Sequence, residues 1–207
     1  MSLLLVSFHA KAITLNFGNL VGTVVNFAGD STFNFTSTNG YQFSISSVQG
    51  GLGDSVGLDG FVSPGGPFTI GAITTNGILQ SANVTGSGVL HIVDALGSNL
   101  VGNVQWLNIT TVGVGGILDL TGTVNLNNLM YPGANSDLTA LAAAGSASDV
   151  VTFQFTPAHD LTFLADVGGQ TSYSGSIAAV PEPSTWALLA MAGGIGFFLR
   201  GRKSVSR

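Results

Sequence analysis

Short runs in which apolar and polar residues alternate, punctuated by turn-forming pairs, dominate this chain and confine it to antiparallel β structure. Thr32-Phe-Asn-Phe-Thr36 and Tyr41-Gln-Phe-Ser-Ile45 carry a large side chain at every second position, the period at which one face of a strand is buried. Between them stands Asn39-Gly40, a pair that reaches positive φ at low cost and so favours a tight hairpin. Phe68–Thr74 and Ile78–Val84 flank Asn76-Gly77 in the same way, and Val150–Phe155 and Leu161–Leu164 flank the short loop Pro157–Asp160. Phe33, Phe35, Tyr41, Phe43, Phe153, Phe155 and Phe163 are the expected core aromatics. One stretch, Ser136–Ala144, has a helical pattern, with Ser136 or Asp137 as N-cap and Gly145 as stop. The expectation is an all-β domain, a jelly-roll-like β-sandwich of roughly nine to twelve strands with one short helix. A faint echo (Leu20-Val-Gly-Thr-Val24, Leu100-Val-Gly-Asn-Val104, Leu120-Thr-Gly-Thr-Val124) suggests a β-solenoid as the alternative. Its spacings of 80 and 20 residues define no constant period.

Charge narrows the function. Only 7% of the chain is charged, against about 25% in an ordinary soluble protein. No Lys or Arg occurs from Ile13 to Val180, where nine Asp give a local charge of −9. Nucleic-acid binding needs cations to replace the counterions on phosphates, so that class is excluded. The chain has no cysteine, which removes disulfides and thiolate metal sites.

The two ends read differently from the body. Leu3–Phe8 is a short apolar core, and Ala10-Lys11-Ala12 offers small residues at Ala10 and Ala12 for signal cleavage. A basic segment before it is lacking, so residues 1–12 read as a partial signal peptide whose true start lies upstream or whose signal is weak. At the other end Pro181-Glu182-Pro183 precedes the apolar run Trp186–Leu199, and Arg200, Arg202, Lys203 and Arg207 follow. The prolines break regular structure ahead of the run. Its 14 residues span about 21 Å as a helix, short of a hydrocarbon core of about 30 Å. Trp186 stands at the interface, Leu188, Leu189, Ile195, Phe197, Phe198 and Leu199 supply the apolar surface, and the basic cluster is the cytoplasmic stop. A marginal transmembrane helix of this kind suits a tail that is recognised and removed.

The order of triplet, apolar run and basic end closely resembles the PEP-CTERM sorting domain, over about residues 180–207. The resemblance implies a Gram-negative, exopolysaccharide-producing source and processing by exosortase, a membrane enzyme. It implies a precursor held in the inner membrane and a mature protein on the outer surface or in the extracellular matrix. It assigns no activity to the body. The chain thus divides into residues 1–12, a β domain over 13–179 and a sorting tail over 180–207.

Within the body three patterns carry candidate chemistry. Gly53-Asp-Ser-Val-Gly57 matches G-x-S-x-G, but its glycine-rich surroundings give no helix to form an oxyanion hole, so a secreted hydrolase based on Ser55 with His91 or His159 is the weakest reading. Asp54 and Asp59 in the same stretch resemble a glycine-aspartate turn that would hold one calcium ion. Trp106, Tyr41, Tyr131 and Tyr173 are the aromatic platforms available to a sugar, although a lone Trp within a strand is more commonly core. The expected function is a non-enzymatic structural or adhesive surface protein without an obligatory cofactor. The alternative is a carbohydrate- or calcium-binding module of the exopolysaccharide matrix.

Overall fold

The computed structural model describes residues 12–112 and 120–180. Thirteen strands follow one another: β1 (Thr14–Asn19), β2 (Val25–Phe27), β3 (Thr32–Phe35), β4 (Phe43–Gln49), β5 (Asp59–Ser63), β6 (Phe68–Ile70), β7 (Thr74–Asn76), β8 (Leu79–Thr85), β9 (Ser87–Val93), β10 (Asn99–Val112), β11 (Leu120–Met130), β12 (Ser146–Gln154) and β13 (Gly169–Ala179). Helix α1 (Ser136–Ala143) precedes β12, and α2 (Leu161–Asp166) precedes β13.

All pairings between these strands are antiparallel, and they close on themselves. One circuit runs β1-β4-β5-β9-β10-β11-β12-β13 and returns to β1, because Leu15 faces Ile177. A second leaves β13 through β2, β3, β6 and β8 and rejoins β10, where Ile109 faces Ala82. The long strands β10 to β13 are the wall common to both circuits. Closure removes the unpaired edges through which β-rich chains aggregate. Among the described residues only β7 pairs on one side alone, against β8. The solenoid alternative is excluded, since stacked coils require parallel neighbours whereas two of the three echo segments lie in the antiparallel partners β10 and β11 and the first lies in the turn after β1.

Alternation places Leu15, Phe33, Ile45, Ile92, Leu100, Leu126, Phe153 and Ile177 in one buried core. Phe33 lies at its aromatic centre, with ring centroids 5.1 Å from both Phe27 and Trp106 and 5.4 Å from Phe68. Each such aromatic contributes about 1.5–3 kcal/mol by burial. Inward-facing glycines make room for the rings, for Phe43 packs over its cross-strand partner Gly60 and Phe17 over Gly175.

Several expectations are corrected. Asn39 and Gly40 do form a tight turn, with φ of 54° and 86°, but a single bridge, Thr38 to Tyr41, closes it. Strands β3 and β4 then diverge into different circuits, so they are not a hairpin. Leu161–Leu164 is helix rather than strand. Asp160 caps it by accepting from the Phe163 amide (2.7 Å), and buried Gln80 accepts from the Leu161 amide (2.8 Å), satisfying amides a helix start leaves free. The described residues therefore hold two short helices. Helix α1 stands where expected, but its N-cap is Asn135. Phe163 lies outside the core at 37% exposure, stacked on His159, and Tyr41 packs outside it against Phe61.

Candidate functional site

The first and last described residues of the body, Ala12 and Val180, lie at one pole. β1 begins and β13 finishes there as antiparallel neighbours, with Thr14 opposite Ala178. The Ala179 amide donates to the Ile13 carbonyl (2.9 Å), and the Val180 amide donates to the Ser146 carbonyl (3.1 Å). Ala12, half of the expected cleavage site, is exposed beside Ile13, and its carbonyl packs against Gly50. Ala10, Pro181, Glu182, Pro183, the apolar run and the basic end lie outside the described residues. Among the described residues no helix is long and apolar enough to cross a membrane.

A hydrogen-bonded network braces the loops at this tail-side pole. Asp137, in the first turn of α1, is buried, and its carboxylate accepts from the amides of Leu52 (2.7 Å) and Ser55 (3.0 Å). Asn135 accepts from Ser55 Oγ (2.9 Å) and donates to the Asp54 carbonyl (2.9 Å). The Asn135 amide donates to the Tyr131 hydroxyl (3.0 Å), which donates to Asp94. That bond holds the Asp94 carboxyl below the usual carboxylate range, while burial and the neighbouring carboxylate raise the Tyr131 phenol. Asp94 also accepts from Leu96 and Ser98 (both 2.8 Å). Loops 50–58, 94–98 and 131–135 are thus one connected surface, from which Leu52, Val56 and Leu96 project at 78%, 51% and 85% exposure. An open groove of about 640 Å³ separates Gly97–Asn99 from Met130–Pro132.

The expected chemical residues fall as follows. Ser55 is fully buried and spends its hydroxyl proton on Asn135. His91 and His159 stack on Phe61 (4.5 Å) and Phe163 (4.1 Å) respectively, and burial lowers the His91 imidazole. Asp54 is exposed at the turn and Asp59 opens β5. No group of three or more His, Asp or Glu side chains converges among the described residues. Trp106 is core, 5% exposed. Tyr173 is buried too and donates to the Gln42 carbonyl (2.7 Å). Tyr41, Phe61 and His91 make an aromatic strip on the outer face of β5 and β9, Tyr41 lying 6.1 Å from Phe61.

Sequence reasoning missed the buried carboxyl of Asp149. Asp149 faces inward between Val124 and Ile177, and desolvation raises its carboxyl to about 8. It borders an internal cavity of about 30 Å³ shared with Trp106, Gln42 and Tyr173. Asp149 Oδ1 and Trp106 Nε1 have no protein partner. A signal existed, because Asp149 has the parity of Ala147, Val151 and Phe153 in an alternating strand.

The described residues form a closed, antiparallel β body whose last strand ends at Ala179. Residues 179–203 match the family model of the PEP-CTERM protein-sorting motif, beginning at the last residue of β13. The chain therefore carries the sorting signal of an exported, cell-surface-directed protein processed by exosortase, a membrane enzyme. No curated protein and no solved structure matches it.

Proposed function

We propose that the body is a non-enzymatic structural or adhesive component of the outer surface or extracellular matrix of a Gram-negative exopolysaccharide producer. In this reading residues 1–12 act in export, the Trp186–Leu199 helix holds the precursor in the inner membrane, and exosortase releases the body. The two facing walls of the circuits serve as a jelly-roll-like sandwich that needs no cofactor. One observation carries the reading: the sorting motif follows directly on a closed β body that contains no Lys or Arg. Such a body resists edge-to-edge aggregation and presents neutral and acidic groups outward. The test compares adhesion and matrix mass among cells making the full chain, a chain ending at Val180, or neither. Rescue by the full chain alone supports a sorted structural role; equal adhesion and matrix mass in all three removes it.

A second reading, carbohydrate binding, is favoured by the Tyr41–Phe61–His91 strip, whose aromatic surface would pack against a sugar face. Retention of the isolated body on the host's exopolysaccharide, lost in Phe61→Ala, would support it. No retention of the unaltered body would discard it.

A further inference from the structure

The tail-side pole is tied closely to whatever holds the tail. Val180 is still hydrogen-bonded to Ser146, so no slack chain separates the body from Pro181. From Val180 to Trp186 there are six residues, which reach at most about 20 Å even when fully extended. Ile13, next to the start of β1, lies at the same pole. Three loop tips there expose Leu52, Val56 and Leu96, on loops that Asn135, Asp137, Tyr131 and Asp94 hold in place.

Building on the sorted-precursor reading, we propose that in the membrane-held precursor this pole rests against the lipid surface, with Leu52, Val56 and Leu96 as its apolar contacts. The short junction keeps this pole within about 20 Å of the start of the apolar run. Apolar loop tips gain free energy at a lipid interface in proportion to the apolar area they bury, which here acts without an electrostatic share because the body has no Lys or Arg. The opposite pole, where Ile78 is 62% exposed in the β7–β8 turn, points away from the membrane. The lipid contact ends when the tail is cut.

The absence of cysteine permits a direct test. Leu96→Cys and Ile78→Cys are introduced singly into the full chain, with Pro181, Glu182 and Pro183 replaced by alanine to preserve the precursor. Each is treated with a maleimide bearing a bulky polyethylene glycol, in membranes and again on bodies ending at Val180. The expected result is several-fold slower modification of Leu96→Cys than of Ile78→Cys in membranes and similar rates in the free bodies. A Gly-Ser insertion of about twelve residues after Val180, adding about 20 Å of mean reach, should narrow the difference, and Leu52→Ser with Val56→Ser should narrow it further. Equal rates in a precursor that sediments with membranes overturn the proposal while leaving the sorting reading intact. A difference that the insertion and serine changes leave untouched also overturns it, and a precursor absent from the membrane pellet overturns both.

Discussion

The Val180 amide donates to the Ser146 carbonyl at 3.1 Å, so the last backbone bond of the β body lies one residue before Pro181. Body and sorting motif are adjacent along the chain. A chain ending at Val180 should keep the body's stability. Ending at Ala178 should cost about 1–3 kcal/mol, because it removes the Ala179 and Val180 bonds to Ile13 and Ser146. Urea midpoints of the two truncated bodies measure the difference.

Asp137 should be the most sensitive polar residue of the tail-side pole. Its carboxylate is buried and accepts two loop amides. Asp137→Ala leaves both amides without that partner and should cost at least about 1.5–3 kcal/mol, the range for one hydrogen bond to a charged group. Faster hydrogen exchange across residues 50–58, with the β11–β12 strands unchanged, would locate the effect.

Stability should fall as pH rises through the range set by Asp149. Its carboxyl is raised to about 8 in the fold, whereas an unfolded chain ionises it near 4. Below about pH 4 both states hold the proton and the group imposes no penalty. Between about 4 and 8 the unfolded state releases it first, so the fold loses stability until both states are ionised. Asp149→Asn should flatten this decline. His91, whose imidazole burial lowers, acts with the opposite sign below its ordinary value, so His91→Gln is the matching control. Denaturant midpoints at pH 4.5, 6 and 7.5 read both effects.

Gly60 should not tolerate a side chain. A Cβ there meets the Phe43 ring and lies 2.8 Å from the His91 carbonyl. Gly60→Ala forces a shift of strand as well as ring, and should cost about 1–3 kcal/mol, the range for overpacked cores. Thermal unfolding of the isolated body measures it.

Much of this architecture is legible in the sequence, because alternation is a local property. Phe33, Phe43 and Phe153 are core residues by parity, and Asn39-Gly40 is a turn by backbone chemistry. Strand order is not local. The same turn separates strands of different circuits, since β3 finds β2 and β6 while β4 finds β1 and β5. Leu161–Leu164 alternates like a strand but becomes helix because Asp160 and Gln80 satisfy its first amides, and Gln80 is about eighty residues away. The sorting triplet stands out because its meaning lies in linear order. The network of Asn135, Asp137 and Ser55 does not, because its partners are about eighty positions apart.

The proposed role of the tail is that of a sorting signal removed after export. Intact mass of the protein recovered from the surface and membrane fractions of its host tests this most directly, with Pro181-Glu182-Pro183 unaltered or replaced by alanines. The expected result is a surface species ending near Val180–Ser184 for the unaltered chain and a full-length membrane species for the variant. Full-length, membrane-bound protein in both cases would contradict it, leaving the tail a plain anchor.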